Sequence, residues 1–421
     1  MVRDAHGRKM SKSLGNVIDP LEVISGITLE GLHRRLEQGN LDRNELEIAK
    51  AGQVKDFPNG IAECGTDALR FALIAYTAQS DKINLDIQRV VGYRHWCNKL
   101  WNAIRFAMLN LGKDFMPSEK LNFGSLPFGC KWILTGLNKA ISKTVTSMEA
   151  YEFSDATSAV YSWWQYQLCD VFIEIIKPVM SADDNATSAA IKKATRDTLW
   201  VCLDNGLRLL HPFMPFVTEE LWQRLPQRPG DALRKESIMI SDYPAVVEEW
   251  TDDEVESQMA LIELTVRSLR SLRMTYLLQP KQRPEAFLLC KTDEVASVLE
   301  RCAADICTLA TLASVKVLSE NEVPQSGCVV NVVNERISAY LLLRGQVDAE
   351  VELSKLSKKR EDISRQQETL LKKMNIAGYN EKVPANIQEE NLAKLNKLVA
   401  EINIIDEANV NFERLLLDSR K

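Results

Sequence analysis

The sequence predicts a mainly α fold: a long helical bundle, a small α+β unit after it, and an antiparallel coiled-coil hairpin at the carboxy-terminal end. Three observations carry this. Apolar residues recur at three- and four-residue steps from residue 66 to residue 278, with few strand-type runs among them. Short β-branched runs are confined to residues 279–350. From residue 351 to residue 421 the chain is charged, with aliphatic seams broken once, at Gly378 and Pro384.

The elements follow in order. Asp19 suits an N-cap, Pro20 the first helical position, and Glu22 completes a capping-box-like pattern, so a short helix starts there. Residues 25–65 read as polar and irregular, apart from a helix around Leu29–Arg35 and a turn at Phe57-Pro58-Asn59-Gly60. Thr66 is the expected N-cap of a helix over Asp67–Ala78. A longer helix begins near Asp86, with Val90, Tyr93, Trp96, Leu100, Ile104 and Ala107 on its apolar face. Helices are expected at 130–150, 154–180, 186–211 and 217–225, and Met259–Tyr276 is the last long one. Trp101, Trp163, Trp164 and Trp222 read as bundle core. Strands Ala286–Cys290, Val315–Leu318, Cys328–Val333 and Ile337–Leu343 accompany a helix near Asp293–Leu309. In the hairpin, Leu353, Leu356, Ile363 and Leu370 form one seam; Leu392, Leu395, Val399, Ile402 and Phe412 form the other.

Composition narrows the function classes. The 421 residues allow two or three domains, and 45% apolar residues support real cores. No apolar run reaches membrane-spanning length, and Met1-Val2-Arg3-Asp4 is no signal peptide, so no membrane partner is expected. Nine scattered cysteines, with no CxxC pair and no ligand-like spacing to histidine, suit a reducing cytosol and argue against structural zinc. The net charge of −6 means that any nucleic acid must be met by local basic surfaces.

The segment Lys9-Met10-Ser11-Lys12-Ser13 carries the chemistry. Two ammonium groups three residues apart can meet polyphosphate oxygens as point charges, and Ser11 and Ser13 can add hydroxyl bonds. Gly15-Asn16 reads as a flexible turn that lets the loop close as charge develops. The competing reading is a solvated basic turn. Together with Leu14-Gly15-Asn16-Val17-Ile18-Asp19-Pro20, the segment resembles the KMSKS signature loop of class I aminoacyl-tRNA synthetases, and the following residues are similar to the valyl branch. Gly65-Thr66-Asp67-Ala68-Leu69-Arg70-Phe71, the run from Asn98 to Phe106 and the run from His211 to Trp222 resemble the anticodon-binding bundle of that branch.

The resemblance implies ATP, with Mg2+, as cofactor, with Lys9 and Lys12 catalytic and Lys9, Met10, Ser11, Lys12 and Ser13 at the ATP phosphates. It implies valine and the tRNA for valine as further partners, and a monomer is favoured. A class I enzyme also needs an HIGH-type motif, and none of His6, His33, His95 and His211 stands in such a context. The chain is therefore expected to be the carboxy-terminal portion of a larger ligase, begun at an internal methionine and inactive alone. The alternative is a non-catalytic, stand-alone tRNA-binding module.

Unpaired bases are read by stacking and edge contacts. Phe106 is the foremost anticodon candidate, with Arg105, Arg94 and Arg89 beside it on the same helix; the competing reading makes Phe106 core and the arginines solvated. In the hairpin, Lys358, Lys359, Arg360, Lys372 and Lys373 are candidates for tRNA phosphates. An ordinary coiled-coil surface balanced by Glu361, Asp362 and Glu368 is the competing reading there. The expected organisation is 1–65 for the loop, capped helix and insertion, 66–278 for the bundle, 279–350 for the connecting unit and 351–421 for the hairpin.

Overall fold

Helices begin where the sequence supplies an acceptor for the first free amide groups. The side chains of Asp19, Thr28, Asp42 and Asp86 accept from the backbone N–H of Leu21, Gly31, Asn44 and Gln88. Each such cap stabilises its helix by about 1 kcal/mol. The computed structural model describes residues 2–419 except 79–81, 113, 184, 228–234, 344–348, 377, 378 and 380–382. The described chain falls into two units, Met1–Glu256 and Ser257–Lys421.

The first unit contains β1 (Val2–Arg3), α1 (Pro20–Ser25), α2 (Leu29–Glu37), α3 (Arg43–Asp56), α4 (Thr66–Ala75), β2 (Ile83–Asn84), α5 (Ile87–Leu111), α6 (Phe128–Glu149), α7 (Phe153–Ser162), α8 (Ile173–Ser181), α9 (Ala186–Leu210) and α10 (Pro215–Gln223). β1 and β2 pair in parallel, which ties the start of the chain to the entry of α5. Trp163, Trp164, Phe172, Leu100, Ile104, Ile133 and Leu137 are among the fully buried side chains of the bundle. Gly206 makes that packing possible: a Cβ there would stand 2.7 Å from the Trp163 ring and 2.9 Å from the Trp164 ring. The Trp164 indole N–H donates to the Gly206 carbonyl at 3.1 Å.

Four expectations for this unit change. Residues 25–65 hold a second helix, α3, which has no buried residue and so no apolar stripe to reveal it. Its start rests on Asp42, which accepts from both Asn44 and Glu45. The residue before α4 is Gly65 at φ 79°, so Thr66 is its first helical residue instead of its cap. Trp163, Trp164 and Trp222 are core, but Trp101 is 39% exposed. The helix expected over 154–180 is interrupted by a π-helical stretch, Trp163–Phe172, that joins α7 to α8.

α11 (Asp253–Thr275) runs from the first unit into the second, which then holds β3 (Glu285–Cys290), α12 (Asp293–Arg301), α13 (Ala303–Ala310), β4 (Ser314–Leu318), β5 (Cys328–Asn334), β6 (Ile337–Leu342), α14 (Ala349–Met374) and α15 (Ala385–Ser419). The sheet order is β4-β3-β6-β5. β3 and β4 are parallel and joined through α12 and α13, while the other pairs are antiparallel. Central β3 buries Ala286, Phe287, Leu288 and Cys290, as its unbroken apolar run requires. The single helix expected near Asp293–Leu309 is two, divided at Cys302.

The hairpin seams are half right. Leu356 and Ile363 are buried in α14, but Leu392 and Val399 of α15 are exposed. Among the described residues, the inward ones of α15 include the expected Leu395, Ile402 and Phe412, joined by Leu398 and Ile405 in place of Leu392 and Val399. Aliphatic residues on both flanks of a helix blur its heptad, and only the partner helix decides between them. Gly378 lies outside the described residues.

Asp305, in the first turn of α13, supplies a stability test. Burial pushes its carboxyl up to about 6 from an ordinary 3.8. The folded chain then holds this proton more tightly than the unfolded chain, so stability falls as pH rises from about 4 to about 6 and stays lower above that. Asp305→Asn is expected to raise stability by about 1–2 kcal/mol at pH 7.5 and by almost nothing at pH 4. Denaturant titrations of both proteins at the two pH values measure the difference.

Candidate functional site

The lysine loop is held at its root and open at its tip. After β1 the chain makes a tight turn in which Gly7 N–H donates to Asp4 O at 2.9 Å and Asp4 N–H to Arg8 O at 3.1 Å. Arg3 and Lys9 bridge across that turn. Lys12–Leu14 then form one 3-10 turn, with the Ser11 and Ser13 hydroxyls 2.9 Å apart. Lys9, Lys12 and Ser13 are exposed, Ser11 is half-buried, and Met10 packs on the apolar cluster around Val23 and Ala68. Among the described residues neither Lys9 nor Lys12 forms an ion pair, so both ammonium groups are available to an anion. Met10 therefore anchors the loop, and its neighbours face outward.

The turn behind the loop, expected to be flexible, is closely packed and hydrogen-bonded. Gly15 is buried at φ 63°, and a Cβ there would lie 2.7 Å from the Ala49 Cβ on α3 and 3.1 Å from Leu41. Asn16 donates to Asp4 at 3.0 Å and to the Lys9 carbonyl at 3.2 Å, and accepts from Ser11 N–H at 3.0 Å. Burial alone would push the Asp4 carboxyl up; the bonds from Asn16 and Arg8 outweigh it and hold the group below the usual carboxylate range. Behind this root lies a cavity of about 190 Å³ whose lining includes Leu14, Ile48, Phe57 and the pair His6–Asp56, 3.1 Å apart.

The four candidates on α5 do not form one patch. With a 100° turn and 1.5 Å rise per residue, Arg94 and Arg105 lie about 20° apart around the axis and about 16 Å apart along it. Trp101 and Asn98 fall on the same stripe. Arg94 donates to Asn98 at 3.1 Å, and the Arg224 guanidinium lies over the Trp101 ring at 4.9 Å. Half-buried Phe106 sits on a neighbouring face beside exposed Arg105. Arg89 is at the other end of the helix, about 25 Å from Phe106 along the axis, with its guanidinium over Tyr76 at 4.4 Å. Trp101, expected in the core, is instead an exposed aromatic on this stripe. Its spacing to Arg94 and Arg105 carried the signal, but helical spacing of aromatics reads equally as core.

Two motifs that are far apart in sequence meet here. The Asp67 carboxylate accepts from Phe216 N–H at 3.3 Å and Val217 N–H at 2.6 Å, capping α10, and Arg70 donates to Pro212 O at 3.1 Å. Burial pushes the Asp67 carboxyl up despite those bonds. Beside this junction an open groove of about 500 Å³ is lined by Gly65, Thr66, Arg94, Asn98, Trp101 and Phe216.

In the second unit, Lys358, Lys359, Lys372 and Lys373 are exposed along α14. Arg360 is engaged instead with Asp406 of α15, at 2.6 and 3.1 Å. Its guanidinium is a cross-brace of the hairpin. No group of three or more His, Cys, Asp or Glu among the described residues is placed to hold a metal ion.

Two family descriptions match the chain: "tRNA synthetases class I (I, L, M and V)" over residues 1–86 and "Anticodon-binding domain of tRNA ligase" over residues 130–288. The mitochondrial valine–tRNA ligase 1 of Arabidopsis thaliana is 56% identical over 96% of this chain and 37% of its own length. The valine–tRNA ligases of Rattus norvegicus and Homo sapiens are each 46% identical over 99% of this chain and 32% of theirs. The chain thus spans about a third of the length of these relatives. With alignments of this identity covering nearly the whole chain, and both family descriptions matched along it, the chain belongs to the valine–tRNA ligase family of class I tRNA synthetases.

Proposed function

We propose that this chain works as part of a valine–tRNA ligase, supplying the ATP-phosphate loop and surfaces that hold tRNA. The observation that carries the reading is the pair of unpaired, outward ammonium groups of Lys9 and Lys12 on a braced root, in a chain homologous throughout to such ligases. As pyrophosphate leaves, charge builds on its oxygens, and cations fixed in place stabilise that charge at little cost in reorganisation. Magnesium would arrive on the polyphosphate itself, where it commonly keeps few protein ligands. A stand-alone, non-catalytic RNA-binding module is not favoured, because the relatives matched along the chain are named as ligases.

In this reading residues 1–65 end the catalytic domain, 66–278 read the anticodon, 279–350 connect, and 351–421 grip tRNA phosphates, in a monomeric enzyme. Arg94, Arg105, Phe106 and the α14 lysines are the RNA contacts, with Arg89 a backbone contact further along α5. No described helix is long and apolar enough to cross a membrane. The free, mostly buried thiols support a reducing compartment, for which the cytosol is the expectation; the Arabidopsis relative is named mitochondrial.

The test is Phe106→Ala in the whole ligase. Loss of one base stack is worth about 1–3 kcal/mol, so valine-accepting tRNA should be charged about tenfold or more slowly while valine-dependent ATP–pyrophosphate exchange is unchanged. Equal losses in both assays would remove Phe106 from the RNA surface.

A further inference from the structure

The lysine loop hangs from two residues that bear no positive charge. Asp4 is 5% exposed, yet its carboxylate accepts four bonds: Oδ1 from His6 N–H at 3.1 Å and Arg8 N–H at 2.8 Å, Oδ2 from Arg8 Nε at 2.7 Å and Asn16 Nδ2 at 3.0 Å. Asn16 then holds the loop from both sides, giving a bond to the Lys9 carbonyl and taking one from the Ser11 amide. Asn16 therefore closes a ring around the segment Lys9–Ser11, and Asp4 ties Asn16 to the preceding turn at His6 and Arg8. Gly15, wedged against α3, prevents the ring from sliding.

We propose that Asp4 and Asn16 are positioning residues of the ligase reaction, forming a polar clasp that fixes where Lys9 and Lys12 present their ammonium groups to the departing polyphosphate. The proposal rests on the reading of the loop given above. The clasp touches no substrate. Its effect is geometric: with the root fixed, closure becomes a small hinge motion of the tip. With the root loose, the lysines sample many positions, only a few of them productive. Misplacement of this kind costs rate more than ground-state binding, because the lysines matter most when charge has developed.

Asp4→Asn replaces the Oδ2 acceptor by a donor that faces two other donors, from Asn16 and Arg8. Asn16→Ala removes the partner and leaves the Ser11 amide without its acceptor. In the whole ligase, each variant should lower kcat of ATP–pyrophosphate exchange by about a hundredfold, with KM for ATP within about threefold. In the 421-residue chain, each should speed hydrogen exchange of the Ser11 amide at least tenfold. The double variant Asp4→Asn/Asn16→Asp restores a bond between the two side chains with donor and acceptor exchanged. It should run faster than the product of the effects of Asp4→Asn and Asn16→Asp, each measured singly. Asn16→Ala serves alone where Asp4→Asn melts early.

Lys12→Ala in the same assay separates the two ideas. If Lys12→Ala slows exchange while both clasp variants keep kcat, or if the two single effects simply multiply in the double variant, the clasp proposal is overturned and the loop reading stands. If Lys12→Ala leaves exchange unchanged, the loop reading falls and the clasp's catalytic role falls with it.

Discussion

Lys12→Ala in the whole ligase should slow valine-dependent ATP–pyrophosphate exchange by about a hundredfold or more. The lysine stands exposed at the start of a 3-10 turn, without an ion pair among the described residues, so its removal disturbs no fold contact that would confuse the result. A preorganised donor aimed at developing charge is worth about 2.7–4 kcal/mol in other enzymes. Lys12→Arg keeps the charge but spreads it over a planar fork, and should recover only part of the rate. Exchange within about threefold of the parent for Lys12→Ala would mean that the loop carries no catalytic charge. The amount of active enzyme should be fixed independently by site titration, so that the loss is read per site.

Phe412→Ala should destabilise the second unit by about 3–5 kcal/mol. Phe412 is fully buried, and its ring meets Tyr276 edge-on at 5.5 Å between centroids and 88° between planes. It therefore links α15 to the stretch just after α11, at the foot of the hairpin. An alanine there loses the transfer energy of the ring and leaves a void that close-packed neighbours fill only in part. Phe412→Leu, which keeps most of the volume, should cost less than half as much. Denaturant unfolding followed by fluorescence measures both; a cost near 1 kcal/mol for Phe412→Ala would show that the hairpin foot is not packed on Tyr276. Residues nearer the tip, such as exposed Leu392, should tolerate alanine within about 0.5 kcal/mol.

The two results test different kinds of sequence reading. The lysine loop was legible because its chemistry needs particular residue types at fixed short spacing, and such a pattern survives without a fold. α5 was legible for a related reason: an apolar residue every three or four positions over 25 residues leaves little choice of conformation. α3 was not, since none of its residues is fully buried and it is started by one capping aspartate. The α15 seam was legible in part: Leu395, Ile402 and Phe412 turn inward as expected, but Val399 and Leu398 satisfy a heptad equally well until a partner helix selects one of them.

By itself, then, the sequence determined the fold class, which rests on local spacing, and showed a lysine loop whose motif resembles that of a known family. The tertiary structure decided which charged and aromatic residues are available. It turned Trp101 outward beneath Arg224, committed Arg360 to Asp406, joined Asp67 to the start of α10, and converted a supposedly flexible Gly15-Asn16 turn into a wedged root. These partners lie as far as 150 residues apart. No local periodicity encodes such a meeting, because burial and hydrogen-bond partners are set by what the rest of the chain places alongside.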